Sequence, residues 1–482
     1  MSLPPPALVV SLTQSIRARP ILWDQYQRTS VINEQELRLI KAVDKVPKEK
    51  RVAVIEGDPT AYASLLVGDG KNKGLLERSA KRVEFVQYLL ALGVELCEDV
   101  PSYINALNNQ PDPYSHLITL LDHGDDPIPV ITSSLLTTLI SASLAKSKVS
   151  RATEQALPTL FKYLATISAS SEFNLQDLAV QSYVLLLRNS YSRLTFWDMG
   201  DETVKGLTSV IETAAAGSKG KGTTDVGLST PGSSVSALSA GVSAASANLK
   251  QGGVNLQLLY HVLVAIWELS FEEAIAEELD EKYDLILPLV LLLRSAIKEK
   301  VLRVCLAIFA NLINKAPTTN LPSLLLARLL PLLTTLKSRK FTDPDLTQDL
   351  DYSQSALEAF QLTQTNFDEY ATEIRSGHLS WTPPHRSQDF WKKNARRIME
   401  ENGGELVNCL ARALRESDDK VVLAVAAHDV GVLVKEVPEK RRVWDTAMVK
   451  ARVMELMGHS DPEVRYESLK AVQEFLRHAF GG

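Results

Sequence analysis

The feature that most constrains the fold is a repeated pattern of two apolar helical segments joined by a charged turn. The clearest copy runs from Val453 to Leu476, where Asp461 and Pro462 separate the first apolar segment from the second. The same pattern occurs 43 residues earlier, around Asp418. Apolar residues at three- and four-residue spacing share one face of a helix, and that face must be buried against a neighbour. The pattern therefore predicts helical pairs that pack on one another.

Two weaker copies of the pattern lie near Asp125 and near Lys298. A repeat period of about 40–47 residues is that of HEAT and armadillo repeats. Stacked repeats extend their core in one dimension, so a chain of 482 residues need not form a single compact core. Alternation typical of strands is not evident. The sequence predicts an all-α, HEAT/armadillo-like helical-repeat solenoid, an architecture that mostly binds other proteins rather than catalysing reactions.

Charge and cysteine usage argue against nucleic acid as the main ligand and against a disulfide or zinc site, although a net charge leaves room for a local basic patch. The chain has 52 basic and 58 acidic residues, a net charge of −6, whereas nucleic-acid binding needs a concentrated basic face. The three cysteines, Cys97, Cys305 and Cys409, lie far apart in apolar helical contexts. This spacing predicts reduced buried thiols, and it matches neither a disulfide framework nor a zinc site.

Membrane insertion is not expected from the sequence. The first ten residues carry no leading positive charge of the kind that opens a signal peptide. The longest apolar stretch, Leu285 to Leu293, contains Pro288 and is followed by Arg294. A membrane-spanning helix needs about 20 apolar residues. Any role at a membrane is therefore expected to be peripheral.

Composition changes twice along the chain. Residues 214–253 hold eight Gly and eight Ser, so we expect a flexible insertion there. Part of it, residues 217–224, is similar to a phosphate-binding loop, but no Lys follows Gly222, and we expect no nucleotide or other cofactor. Residues 337–351 are polar and include Pro344, which predicts a linker. We therefore expect a large N-terminal domain over 1–350 and a smaller C-terminal helical domain over 351–482.

Two histidines stand in contexts that could suggest catalysis. His261 lies among aliphatic residues on a predicted helix, and we expect a packed side chain bonded to a backbone carbonyl rather than a general base. His459, Ser460 and Asp461 are consecutive, whereas the members of a catalytic triad normally converge from separate segments. Ser460 or Asp461 is expected to cap the next helix. We predict no catalytic residue and no metal ligand.

Two segments are candidate partner contacts. The first contains Trp381, Pro383, Pro384 and His385: its prolines stiffen the chain, and an exposed Trp could anchor an interface. The alternative is that Trp381, together with Phe390 and Trp391, only fills the seam between the linker helix and the C-terminal repeats. The second is the charged turn with the four residues Glu416, Asp418, Asp419 and Lys420. It could contact a partner, or it could be a solvated turn that only caps a helix.

Eight short segments occur in order along the chain and match one family together. They are 16–24 (IRARPILWD), 257–267 (QLLYHVLVAIW), 297–305 (IKEKVLRVC), 339–346 (RKFTDPDL), 367–370 (FDEY), 379–385 (LSWTPPH), 390–391 (FW) and 459–473. In this order they resemble the regulatory H subunit of the vacuolar-type proton-pumping ATPase. The insertion at 214–253 departs from the family pattern.

The resemblance implies a non-catalytic subunit of the soluble sector of the pump. Such a subunit couples ATP hydrolysis to proton transport in the assembled pump and inhibits ATP hydrolysis when the soluble sector detaches. The implied partners are the E and G subunits of the peripheral stalk and the cytosolic N-terminal domain of the a subunit. In the detached state the catalytic hexamer or the central rotor would be contacted. The implied location is the cytoplasm and the cytosolic face of the vacuolar membrane and other endomembranes.

The alternative function is an armadillo-type protein-binding adaptor unrelated to the pump. Adaptors of the nuclear-import type carry repeated Trp-x-x-x-Asn motifs along their groove. Here Trp267 is followed four residues later by Phe271, and no such series occurs in the sequence. The regulatory subunit is therefore the favoured interpretation.

Overall fold

The structure, a computed structural model, is built almost entirely of α-helices, as the sequence predicts. It describes residues 4–125, 127–219, 250–296, 298–339, 341–363, 366–446 and 448–480. Within these ranges the only paired strands are the two-residue β1 (Lys250–Gln251) and β2 (Val254–Asn255), which form an antiparallel hairpin. The all-α prediction is thus confirmed.

The first half of the chain folds into helices of four to nineteen residues. In chain order they are α1 (Ala7–Ala18), α2 (Trp23–Arg28), α3 (Glu34–Val43), α4 (Lys48–Gly57), α5 (Pro59–Val67), α6 (Leu75–Arg78), α7 (Val83–Asp99), α8 (Pro101–Asn108), α9 (Ser115–Thr119), the 3₁₀ turn Leu120–Asp122, α10 (Pro127–Leu144), α11 (Arg151–Ser168), α12 (Phe173–Leu186), α13 (Ser190–Asp198) and α14 (Asp201–Lys219).

The second half has the same character. Its helices are α15 (Leu256–Leu269), α16 (Glu273–Tyr283), α17 (Ile286–Ser295), α18 (Glu299–Lys315), α19 (Pro317–Leu326), α20 (Leu329–Lys337), α21 (Pro344–Thr363), α22 (Asn366–Ser376), α23 (Pro383–Arg386), α24 (Gln388–Glu400), the 3₁₀ turn Glu401–Gly403, α25 (Glu405–Glu416), α26 (Lys420–Glu436), the 3₁₀ turn Pro438–Lys440, α27 (Arg442–Thr446), α28 (Val449–Leu456) and α29 (Pro462–Phe480).

The chain divides into two compact units. The first contains Met1–Glu278 and Leu291–Asn311, and the second contains Leu279–Val290 and Leu312–Gly482. Residues 312–350 therefore pack with the second unit, although the sequence assigns them to the N-terminal domain. The boundary near residue 350 stays a prediction about which pieces fold independently.

The first unit stacks its helices in the order expected of a repeat protein. One layer contains α7, α10, α12 and α15, each of which packs on the next, and α11 packs on both α12 and α14. The starts of α7, α10 and α12 at Val83, Pro127 and Phe173 lie 44 and 46 residues apart. This spacing agrees with the predicted period and places one apolar face of each helix against its neighbour.

The second unit repeats the arrangement. In one layer α19 packs on α22, α22 on α25 and α25 on α28, and in the other α24 packs on α26 and α26 on α29. Turn residues start these helices: the Asp419 carboxylate accepts from Val421 N at 2.8 Å, and the Asp461 carboxylate accepts from Glu463 N at 2.9 Å. Capping supplies partners for backbone N–H groups that have none inside the helix.

Both segments predicted to be irregular contain regular structure. Of the insertion predicted at 214–253, residues 214–219 complete α14 and residues 250–251 form β1, while 220–249 lie outside the described residues. The segment 217–224, for which we expect no nucleotide, falls mostly in that gap. Of the linker predicted at 337–351, the part from Pro344 onward is helical, because Pro344 stands at the first position of α21, where a missing N–H is tolerated.

One described helix, α10, is long and apolar enough to cross a membrane, and the bent pair of α19 and α20 passes the same test if the two are taken as one span. In α10, 72% of the tested window is buried inside the protein. Core helices of globular proteins pass this test as well.

Candidate partner-binding site

The first candidate segment is held by a buried carboxylate that the sequence analysis did not single out. Glu373 of α22 accepts hydrogen bonds from Ser380 N at 2.6 Å and from Thr382 Oγ1 at 2.6 Å. The Glu373 side chain is only 2% exposed. Trp381 therefore lies between two residues that are both bonded to the Glu373 carboxylate.

Trp381 is half-buried and packs against the core of the second unit. Its ring meets the His428 ring edge-on at 5.2 Å between centroids, and the Arg386 guanidinium lies 5.4 Å from its centroid. The buried indole Nε1 has no hydrogen-bond partner. Trp381 therefore packs on the helical core of the second unit while part of its ring remains at the surface, and the choice between a partner contact and a purely structural role stays a prediction.

His385 is the centre of a polar cluster inside the second unit. Its side chain is fully buried, and Nδ1 lies 2.8 Å from an Asp429 carboxylate oxygen. Nε2 lies 3.3 Å from Glu373 Oε2, close enough for an ion pair but without a hydrogen bond. Asp429 also accepts from Tyr370 Oη at 3.2 Å, and Trp391 Nε1 donates to the His385 carbonyl at 3.0 Å. The cluster thereby joins α22, α23, α24 and α26.

The charges in this cluster stabilise one another. Burial opposes a charged imidazole, but the charge and hydrogen bond of Asp429, together with Glu373, outweigh it and raise the pKa of His385 to about 10. Burial also opposes a charged Asp429, yet His385 and a smaller contribution from His428 lower the pKa of that carboxyl below its ordinary value. His385 is therefore an imidazolium at neutral pH, held between two carboxylates.

The structure separates the four candidate residues of this segment. Pro383 is exposed and Trp381 half-exposed, whereas Pro384 and His385 are buried. The side chains of Pro384 and His385 are therefore not accessible to a partner in this conformation, whereas those of Trp381 and Pro383 are. The prediction that this segment contacts a partner stays a prediction.

The second candidate segment is an exposed turn. Glu416, Asp418, Asp419 and Lys420 are all exposed where α25 ends and α26 begins. Asp419 caps α26 through Val421 N, and Lys420 Nζ lies 3.6 Å from Asp461. Two of the four thus have a structural role besides their exposure, and the prediction of a partner contact at this turn stays a prediction.

The residues with apparent catalytic potential have structural partners. His261 of α15 is buried, and its Nδ1 lies 2.7 Å from Asp177 Oδ1 of α12. The prediction that His261 bonds to a backbone carbonyl was therefore wrong. His459 Nδ1 accepts a hydrogen bond from Asp461 N at 3.0 Å. The Asp461 carboxylate caps the next helix, as expected. Among the described residues, no group of three or more His, Cys, Asp or Glu side chains could hold a metal ion.

Sequence reasoning missed Asp429 and Glu373. Asp429 follows His428 inside an otherwise apolar helix, KVVLAVAAHDVGVLVKE, and a carboxylate in such a context is a signal that could have been used. Buried charges are costly unless they are paired, so an acid on an apolar helical face predicts a cationic partner elsewhere in the chain. Glu373 has no comparable signal, since α22 also carries other acids.

Comparisons with known proteins point to one family along nearly the whole chain. The family model for the V-ATPase H subunit matches in two parts, its N-terminal part at residues 8–357 and its C-terminal part at residues 363–480. The V-type proton ATPase H subunit of Drosophila melanogaster is 27% identical over 96% of this chain and 88% of its own length. A probable V-type proton ATPase H subunit of Oryza sativa subsp. japonica is 26% identical over 96% of this chain and 95% of its own length.

Two of the solved structures similar to this chain are engineered or designed proteins. One engineered protein covers 97% of this chain and 94% of its own with a TM-score of 0.43 and 12% identity. A designed armadillo repeat protein covers 66% of this chain and 98% of its own with a TM-score of 0.35 and 12% identity. Scores of this size carry no weight in the assignment. The two family matches cover most of the 482 residues, and the chain belongs to the family of V-ATPase H subunits.

Proposed function

We propose that this protein is a non-catalytic regulatory subunit of the soluble sector of a V-type ATPase. In the assembled pump it couples ATP hydrolysis to proton transport, and it inhibits ATP hydrolysis when the soluble sector is detached. The observation that carries this proposal is the match of both parts of the family in chain order, over residues 8–357 and 363–480. A fragmentary match would support a shared repeat fold only.

The proposed partners follow the family resemblance. The larger N-terminal domain, 1–350, binds the E and G subunits of the peripheral stalk. The smaller domain, 351–482, contacts the cytosolic N-terminal domain of the a subunit in the assembled pump and the catalytic hexamer or central rotor in the detached sector. The protein then works in the cytoplasm, at the cytosolic face of the vacuolar membrane and other endomembranes.

Inhibition in this scheme is mechanical and needs no reactive side chain. A protein that holds a fixed and a rotating part of the machine at once prevents rotation. Joining two modest contacts in one chain raises the effective concentration of the second contact, so both can be weak individually. The exposed turn at Glu416, Asp418, Asp419 and Lys420 is the proposed contact of the smaller domain, because charged exposed side chains can steer a partner into place.

The test uses the soluble ATPase sector purified without its own regulatory subunit of this family. Addition of this full chain in stoichiometric amount is expected to abolish most ATP hydrolysis. The variant Glu416→Lys/Asp418→Lys, which leaves the Asp419 cap in place, is expected to inhibit poorly. Its control is Glu34→Lys/Arg38→Glu, which swaps the charges of an exposed ion pair on α3, in the other unit.

Three outcomes separate the parts of the proposal. A full chain that leaves ATP hydrolysis unchanged and does not bind the sector refutes the regulatory function. A full chain that inhibits equally well with and without the turn substitutions refutes only the assignment of the turn. Full inhibition by residues 1–350 alone would contradict the requirement for a second contact.

A further inference from the structure

The outer face of α29 carries a mainly apolar stripe whose residues are spaced by four and three positions in turn. The stripe consists of Pro462, Tyr466, Leu469, Gln473 and Leu476, and all five residues are exposed. Tyr466, Leu469 and Leu476 expose 60%, 47% and 42% of their surface, so the stripe is open to a partner. Alternating spacing of three and four residues is the heptad pattern by which two helices pair as a coiled coil. We call these five residues the α29 stripe.

Packing within the second unit does not account for the α29 stripe. The residues that α29 buries, where it packs on α26 and α28, include Val464, Ser468, Ala471 and Phe475. At 3.6 residues per turn, Leu469 lies about 160° around the helix from Ala471. A helix that buries one face and presents apolar residues on the opposite face has a second surface suited to a partner.

The charges at the two ends of the stripe are complementary to those of a second, antiparallel copy of α29. Glu463 is exposed in the first turn of the helix, and Arg477 is 67% exposed near its end. If two copies pair antiparallel about a two-fold axis at the middle of the stripe, Glu463 of each copy lies opposite Arg477 of the other. Arg477 also reaches Glu474 on its own helix, at 3.3 Å, so its flexible side chain is already directed along this surface. The symmetry forms this pairing of opposite charges twice.

The residues nearest the axis also favour the antiparallel arrangement. A parallel pair would place Arg465 beside Lys470 of the second copy, two like charges. In the antiparallel pair Lys470 approaches its own equivalent, but its charge is partly compensated by Glu467, whose carboxylate lies 3.0 Å away on the same helix. The side-chain amides of Gln473 from both copies lie close to the axis, where each can donate to and accept from the other. One polar residue in an apolar stripe of this kind fixes the register of the two helices.

We propose that the α29 stripe joins two copies of this chain through an antiparallel pair of α29 helices. Tyr466 of each copy packs on Leu476 of the other, and Leu469 packs beside Gln473. The stripe is about 21 Å long, at 1.5 Å per residue. This length is short for a coiled coil, so we expect a weak dimer that forms at micromolar concentrations of protein. The proposal goes beyond the proposed regulatory function and does not depend on it.

The test is sedimentation equilibrium of the full chain at protein concentrations from about 2 to 200 µM, a range that covers weak association. The average mass of the parent is expected to rise with concentration from that of one chain toward that of two. Leu469→Lys is expected to raise the dissociation constant at least ~tenfold, because it places a charge in the centre of the contact. Leu362→Lys is the matched control, since Leu362 is 88% exposed near the end of α21, a different helix of the same unit. This control is expected to dimerise like the parent.

Charge reversals test the antiparallel orientation. Glu463→Lys and Arg477→Glu are each expected to raise the dissociation constant ~threefold, because each places like charges opposite one another. The double variant Glu463→Lys/Arg477→Glu is expected to return to within ~twofold of the parent, because the reversed charges pair again across the two helices. The two positions lie about 21 Å apart within one helix, too far for direct contact, so this recovery requires the second copy. A general loss of fold cannot produce it.

Three results would overturn the proposal. A parent chain that stays monomeric over the whole range would leave the stripe to a helix of a different protein. Equal dimerisation of Leu469→Lys and Leu362→Lys would place the contact elsewhere on the chain. A double charge variant no stronger than either single variant would refute the antiparallel pairing. The melting temperature of each variant is compared with that of the parent, and if Leu469→Lys unfolds, the charge reversals at exposed positions still decide the question.

Discussion

The buried His385–Asp429 pair makes the stability of the second unit depend on pH in a defined direction. The variant to test is Asp429→Asn, which keeps the shape of the side chain and removes its charge. Asp429 is fully buried and receives hydrogen bonds from His385, His428 and Tyr370. Loss of one member of a buried ion pair leaves the other charge uncompensated and costs about 3–5 kcal/mol. We expect a loss of this size in the free energy of unfolding near pH 6.5.

The pH dependence follows from the sign of the shift. The pKa of His385 is raised from 6.5 to about 10, so its stabilising contribution is fully present below pH 6.5 and is lost as the pH rises toward 10. The free energy of unfolding of the parent protein should therefore fall by about 1 kcal/mol per pH unit in this window, or by ~2 kcal/mol between pH 7 and 9. In Asp429→Asn only Glu373 stabilises the charged form of His385. The free energy of unfolding of this variant should therefore fall less with rising pH than that of the parent, and the two curves should converge at high pH.

The measurement is urea unfolding of the full chain at pH 6.5, 7, 8 and 9, followed by tryptophan fluorescence. The second unit contains Trp381, Trp391 and Trp444, and Trp391 donates directly to the His385 carbonyl. Asp389→Asn, at an exposed position on α24, serves as the control and should change stability by less than ~1 kcal/mol. Parallel pH curves for the parent and Asp429→Asn, or a loss below ~1 kcal/mol in the variant, would refute the reasoning.

Three further predictions concern burial and capping. The half-exposed Cys409 should react with a thiol reagent in the native protein. Cys97 and Cys305 should react only after unfolding, because burial removes access to their thiols and raises the thiol pKa. Equal reaction rates of all three cysteines in the native protein would contradict this. Leu263→Ala, at a fully buried position, should lower the free energy of unfolding in urea by about 2–5 kcal/mol. Trp267→Ala, at a half-exposed position, should lower it by only ~2 kcal/mol. A larger loss for Trp267→Ala than for Leu263→Ala would contradict the burial argument. Asp461→Ala should lower stability by ~1 kcal/mol through loss of the α29 cap, and Asp461→Asn by clearly less; equal losses would point to charge instead.

Local sequence signals predicted the helical repeats because the responsible forces act over short stretches of chain. The apolar spacing between Val453 and Leu476 places α28 and α29 on one core, and the acids at 419 and 461 cap the helices after them. Pro344 shows that one local signal can favour two different structures. In sequence it suggests a linker, but at the first position of a helix Pro is favourable, so the choice depends on the residues after it and on which surface the new helix can bury.

The sequence by itself determined the helical-repeat class, the approximate period and the family, because apolar periodicity, turn residues and short motifs are properties of neighbouring positions. Only the tertiary structure decided that His385 is an internal cation and not a surface contact. Its partners, Glu373 and Asp429, lie 12 and 44 residues away in the chain, and they meet it because α22, α23 and α26 pack together. Pairing across such distances depends on helix packing, which no local pattern specifies, and the cost of burying an unpaired charge then makes the three side chains interdependent.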